Sequence, residues 1–175
     1  AEQIVKEFEK IKYKITGSIR ARITEILILE LGSKYKVTTR NKIGDTNSGI
    51  WLELKDYQNL GIYFGIEPFS GKGNVRNELF FGILNLNDSH KSIFENHNFK
   101  CFRWWRDVDF FDNLEGFKNN RINFSDSEFI NFLGKSPSKQ HELIEKIAER
   151  MIEFVNSKER SLINVCNEII SKNNN

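Results

Sequence analysis

Cysteine and proline are scarce in this chain, with two of each. Cys101 and Cys166 lie far apart in sequence and outside any CxxC or CxxxH spacing. That excludes a disulfide scaffold and a zinc ribbon, and two unpaired thiols fit a reducing cytoplasm. The two prolines, with 11 glycines, exclude a collagen-like or linker-rich architecture. No apolar run approaches the roughly 20 residues a membrane span needs. The start, Ala1-Glu2-Gln3, has no basic-then-apolar signal. His90, His97 and His141 make no HxxxH or HExxH set. Gly71-Lys72-Gly73-Asn74 is too short for a phosphate-binding loop and lacks the following Lys-Ser/Thr pair, so it reads as a flexible hairpin connection. No serine or cysteine sits in a nucleophile elbow. Neither sign of charge dominates: 26 basic against 24 acidic residues leave +2. This excludes a histone-type polyanion binder and an acidic disordered tail.

What the chain does contain is apolar and aromatic. Hydrophobic residues make up 39% and Phe occurs 15 times, enough in 175 residues for one domain with a packed core. Ile4, Phe8, Ile11, Ile15, Ile19, Ile23 and Ile26 recur at spacings of three and four, which predicts one helix over residues 2–32 with these on a single face. Gly17 costs that helix about 1 kcal/mol without breaking phase, and Gly32 supplies a stop. The absence of an initiator Met, and a helix that starts without a cap, lead to the expectation of further chain upstream.

From residue 35 to 85 the period changes to two. Four strands are predicted: Tyr35–Ile43, Ile50–Asp56, Leu60–Glu67 and Glu78–Asn85, separated by the turn-rich GDTNSG, YQN and SGKGN. Ile50, Leu52 and Leu54 share a face, as do Leu60, Ile62, Phe64 and Ile66. For both faces to meet one core the connection must hold an odd number of residues. Three are expected (Tyr57, Gln58, Asn59), pairing Leu54 with Ile62 and Leu52 with Phe64. Trp51 then stands opposite Gly65 on the other face, either covering a strand glycine or walling a shallow groove.

A short helix is expected near Asp88–Asn96, and FKCFRWWRDVDFF (Phe99–Phe111) as a fifth, bent strand. Residues 112–123 read as an irregular loop. Phe124-Ser125-Asp126-Ser127-Glu128-Phe129 predicts a helix start with Ser125 as cap, Glu128 completing a capping box and Phe124–Phe129 as staple. Gly134 ends that helix. Ser136-Pro137 opens the last one, on which Ile144, Ala148, Met151, Val155, Leu162, Cys166 and Ile169 keep helical phase to about residue 172. The expected fold is α+β: an antiparallel four- to five-stranded meander with the long terminal helices packed on or beside it.

Two sets of residues could carry chemistry. Asp45 followed by Glu53-Leu54-Lys55 has the carboxylates and lysine of a divalent-ion nuclease site, with Asp45 and Glu53 holding Mg2+ or Mn2+ and Lys55 placing water. The same Glu-x-Lys also suits the polar face of any half-buried strand, and only TNSGIWL separates the two acids, too little for the strand that normally carries the Asp. For nucleic acid, Lys6, Lys10, Lys12, Lys14, Arg20 and Arg22 outnumber Glu2, Glu7 and Glu9 on the first helix. Lys100, Arg103 and Arg106 interleave with Phe102, Trp104 and Trp105, a pattern that can stack bases and neutralise phosphates. Core aromatics flanked by extended arginines would look alike.

The run SGIWLELKDYQNLGIYFGIE, the FRWWRDVDFF segment and the closing amphipathic helix resemble the C-terminal part of bacterial PD-(D/E)XK nuclease superfamily proteins, over most of residues 2–170. The resemblance implies a bacterial origin and a link to DNA processing or defence. It also implies that the catalytic residues lie upstream, unless Asp45, Glu53 and Lys55 stand for the family's Asp and Glu-x-Lys. Three readings follow: a non-catalytic accessory domain that positions nucleic acid or mediates assembly, a small metal-dependent nuclease, or a module that self-associates through its terminal helices.

Overall fold

The computed structural model describes residues 2–175. Helix α1 (Glu2–Leu31) leads into strands β1 (Tyr35–Arg40), β2 (Gly49–Leu54), β3 (Ile62–Glu67) and β4 (Phe80–Asn85). Helix α2 (Lys91–Asn96), strands β5 (Cys101–Phe102) and β6 (Trp105–Phe110), and helices α3 (Ser127–Lys135) and α4 (Pro137–Asn173) complete the chain. The fold is α+β. Its single antiparallel sheet has six strands in the order β1-β2-β3-β4-β6-β5.

The extra strand comes from the segment expected as one bent strand. Arg103 takes a left-handed conformation (φ 53°), the chain reverses, and Cys101 pairs with Arg106 and Phe102 with Trp105. Left-handed residues also trim the other strands: Asn41 (φ 63°) stops β1 at Arg40, while Asn59 and Gly61 (φ 69° and 71°) delay β3 to Ile62. The β2–β3 register matches the parity argument, with Leu52 opposite Phe64 and Trp51 opposite Gly65. Its connection is longer than three residues, running through a 3₁₀ turn at Lys55–Tyr57.

The helices lie on one face of the sheet. Ile50, Leu52, Phe64, Ile66, Phe81 and Ile83 point into the main core, which α1, α3 and α4 close. All seven residues placed in phase on the last helix are buried. Ser136 Oγ caps it, accepting from Lys139 N, with Pro137 in the first turn. On α3 the cap is Asp126, whose carboxylate accepts from Glu128 N at 3.0 Å. Ser125 instead donates to the Gly71 carbonyl at 2.7 Å. Phe124 and Phe129 do stack, with centroids 6.1 Å apart. Gly134 lies inside the last turn, where a Cβ would meet Ile15 Cδ1 at 3.2 Å, so its role is close approach to α1 rather than termination.

The first helix departs most from its predicted face. Ile19 and Ile23 are buried, but Ile4 is 75% exposed because the first turns extend past the body, and Ile11 is 54% exposed because the buried face at that level runs through Lys12 and Thr16. Thr16 and Thr24 are buried instead, their hydroxyls donating back to the carbonyls of Lys12 and Arg20.

Candidate nucleic-acid interface

Among the described residues no helix covers the other face of the sheet. Strict alternation puts Lys36, Thr38 and Arg40 of β1, Trp51 and Glu53 of β2, and Tyr63, Gly65 and Glu67 of β3 on this side. Strand β4 adds Phe80, Gly82 and Leu84. Trp105, Phe80 and Leu84 form a second apolar cluster here, packed by Trp51, Tyr63, Val75, Val108 and Phe110. Trp105 lies across two glycines. A Cβ on Gly65 would meet its Cη2 at 3.0 Å, and one on Gly82 its Cε3 at 3.3 Å. The aromatic that fills the space above Gly65 is therefore Trp105 at least as much as its cross-strand neighbour Trp51.

Three arginines rest on aromatic rings at the margins of this face. The Arg40 guanidinium carbon stands 4.3 Å from the Trp51 ring and 5.7 Å from Tyr63. Trp51 and Tyr63 pack with centroids 4.7 Å apart. Around Phe110, Arg121 lies at 3.8 Å and Arg76 at 5.7 Å. All three arginines are exposed, and none joins an ion pair of the described residues. Stacking orders the planar guanidinium while leaving its N–H fork free for an anion. Arg103, in the β5–β6 turn, donates to the Asn74 carbonyl at 3.3 Å, tying the 68–79 loop to this side. Trp104 beside it is 38% exposed.

The acids on β2 and β3 here are few and buried, while Glu78, half-exposed just before β4, lines a recess with Arg121. Glu53 is 9% exposed and Glu67 5%. Burial pushes the Glu67 carboxyl up from 4.5 to about 7; the neighbouring Trp51 indole N–H moderates the rise without completing a hydrogen bond to it. The acids of β6 lie on the helical side, where Asp107 pairs with Lys158 at 2.7 Å and Asp109 with Arg150 at 3.5 Å.

The residues singled out in the sequence divide accordingly. Asp45 is exposed in the β1–β2 turn, its carboxylate accepting from Lys42 N at 3.3 Å. Glu53 lies toward the opposite end of β2, about 13 Å along the strand from Gly49, where that turn ends. Lys55 donates to the Gly32 carbonyl at 2.6 Å, serving the end of α1. The three do not converge, and the described residues hold no group of three or more metal-ligating side chains. This corrects the expectation that Asp45 and Glu53 share an ion.

Lys10 and Lys14 are exposed on α1. Arg103 and Trp104 sit together at the surface, as a base-stacking pair requires. Trp105 and Arg106 are both fully buried, and on opposite faces of the sheet, so neither can meet a ligand at the surface. Arg106 donates from Nη1 to the carbonyls of Arg103 and Trp105 at 2.8 and 3.0 Å, with its guanidinium 5.4 Å from the Phe94 ring. It braces the turn. Sequence reasoning missed Arg40, Arg76, Arg121 and Phe110, which lie on four separate segments that only the sheet and its loops bring together. The parity that placed Trp51 and Tyr63 on one face was the one available signal. Among the described residues no helix is long and apolar enough to cross a membrane. No protein family, curated protein or solved structure matches the chain, so these comparisons do not bear on the resemblance to PD-(D/E)XK proteins.

Proposed function

We propose that this domain is a non-catalytic binding module for single-stranded nucleic acid, which it takes on the helix-free face of its sheet. The observation that carries this is the set of three exposed arginines, Arg40, Arg76 and Arg121, each held on an aromatic ring and none neutralised by a carboxylate. Phosphates supply the missing anions, and Trp51, Tyr63, Phe110 and Trp104 offer partly exposed rings to bases that a duplex would keep stacked away. An accessory role in DNA processing is also what the resemblance to PD-(D/E)XK proteins implies.

The test is fluorescence anisotropy of labelled single- and double-stranded DNA at two salt concentrations. Single strands are expected to bind more tightly, with an affinity that falls steeply with salt. Replacing Arg40, Arg76 or Arg121 by Ala is expected to reduce the salt slope by about one phosphate contact each. No binding at low salt, or an unchanged slope in all three variants, refutes the reading.

One observation favours assembly as a second reading. Ile4 and Val5 stand exposed on the projecting first turns of α1, and Ile11 is exposed further along it. Sedimentation at several concentrations, with Ile4→Lys and Ile11→Lys as controls, would show a mass that rises with concentration only in the unaltered chain.

A further inference from the structure

Beside the Arg40–Trp51–Tyr63 stack the open face sinks into a cavity of about 310 Å³, lined by Lys36, Thr38, Thr39, Arg40, Glu53 and Tyr63. Its size sits at the lower end of the range for small-molecule sites. The unusual member is Glu53, which is more than nine-tenths buried. Oε2 accepts a single N–H, from Asn59 at 3.1 Å. Lys36 stands directly opposite in register, yet no cation of the described residues comes within 4.0 Å of the carboxylate. A carboxylate has about four acceptor positions and no donor. Here one is used, which leaves the other acceptor positions open to a ligand that enters the pocket. The pocket therefore has an acceptor-only floor, an aromatic wall in Tyr63 and cations at its rim in Lys36 and Arg40.

We propose that this pocket is a guanine-reading subsite of the nucleic-acid face. The inference rests on the binding reading above and names the base that reading leaves open. The pairing edge of guanine carries two adjacent donors, N1–H and the 2-amino group, spaced to meet the two oxygens of one carboxylate. Adenine and cytosine place a ring-nitrogen lone pair beside their amino group. Thymine and uracil flank N3–H with two carbonyls. Each of these would set a lone pair against Glu53. Guanine alone meets the carboxylate donor to acceptor, through two charge-assisted bonds. Its ring lies against Tyr63, and Arg40 and Lys36 reach the attached phosphate.

The experiment is calorimetric titration of the full chain with GMP, AMP, CMP and UMP, alongside anisotropy with labelled oligothymidylate and the same oligomer carrying guanine at alternate positions. GMP is expected to bind about tenfold or more tightly than the other three, the discrimination one bidentate base contact supplies. Glu53→Gln is expected to abolish that preference. Four nucleotides binding alike, or a guanine preference that survives Glu53→Gln, overturns the proposal. Should that variant fail to fold, amide shift mapping on the unaltered chain decides instead. GMP must move Tyr63 and Asn59, and shifts confined to other regions overturn the site. The oligonucleotides separate the two levels of inference. Equal binding of both overturns the subsite and leaves the binding face standing. GMP binding with neither oligonucleotide bound retains the subsite and overturns the face.

Discussion

Glu67 gives the most direct test of how this face is built. It ends β3 on the open side of the sheet, opposite Phe80, with Trp51 beside it and no ion-pair partner among the described residues. Burial raises its pKa from 4.5 to about 7. Below 4.5 the folded and unfolded chains both hold the proton. Between 4.5 and about 7 the unfolded chain releases it and the folded chain keeps it, so stability falls as pH rises. Above about 7 both are ionised and the loss is complete. At roughly 1.4 kcal/mol per pH unit the loss is about 3 kcal/mol. Glu67→Gln copies the protonated carboxyl in shape and cannot ionise. Guanidinium denaturation of both proteins at pH 4 and pH 8 should therefore give similar stabilities at pH 4. At pH 8 the variant should be more stable by about 3 kcal/mol. A difference of the same size at both pH values would refute the reasoning, because it would mean that Glu67 titrates alike in the folded and unfolded chains. Ionised Glu67 also sets a negative charge among the stacked arginines, so affinity for single-stranded DNA should weaken above pH 7 in the unaltered chain and not in the variant.

The adjacent tryptophans should separate cleanly. Trp105→Ala removes a fully buried ring from over two glycines and should cost about 3–5 kcal/mol in denaturant titration, whereas Trp104→Ala should leave stability within about 0.5 kcal/mol and weaken DNA binding. Asp126→Ala removes the cap of α3 and should cost about 1 kcal/mol, while Ser125→Ala, at the position the sequence pattern favoured, loses a bond to the Gly71 loop instead and should leave the helix content seen by circular dichroism unchanged. Burial pushes the Cys166 thiol up to about 12, so a thiol reagent near neutral pH should label the half-buried Cys101 slowly and Cys166 only after denaturation. Equal labelling of both in the native state would mean that α4 opens readily.

The sequence was most informative where one periodic signal acted alone. Helix α4 carries an apolar stripe backed by a cap and a proline, and every residue assigned to its buried face is buried. The β2–β3 register followed from parity, because a slip of one residue would have turned Leu52 and Phe64 out of the core. Legibility failed where contacts between distant segments decided the outcome. On α1 the apolar spacing runs unbroken from Ile4 to Ile26, but neither how far the body reaches, which leaves Ile4 exposed, nor which face it takes, which buries Lys12 and Thr16 in place of Ile11, is written in that spacing. Gly134 resembles a helix stop, yet it is small because Ile15 of α1 comes close to it. The candidate site was half legible. Trp51, Tyr63 and Glu53 follow from alternation, whereas Arg76 and Arg121 lie in loops with no period at all and reach Phe110 only in the folded chain.

The segment that resisted reading, FRWWRDVDFF, also gives the face its charge. Strict alternation would put Trp105, Asp107 and Asp109 on one side and Arg106, Val108 and Phe110 on the other. Instead, Ile83 pairs with Arg106 while Phe81 pairs with Asp109, so β6 holds one residue more than β4 over the same span, and Asp107 is left-handed at φ 51°. This is a β-bulge, and it reverses the faces of everything beyond it. Val108 and Phe110 join Trp105 on the open side, while Asp107 and Asp109 turn to Lys158 and Arg150 of α4. One extra residue therefore removes two carboxylates from the arginine-bearing face and supplies the Phe110 ring on which Arg76 and Arg121 sit. A net charge of only +2 is then compatible with a locally cationic surface, because the fold sorts its acids to the helical side. Val108→Asp would set a carboxylate back on the open face, beside Trp105 and Phe110. That variant should lose single-stranded DNA binding far beyond what its loss of stability explains. If it folds and binds with unchanged affinity and salt dependence, the sorting of charge across the sheet has no part in binding.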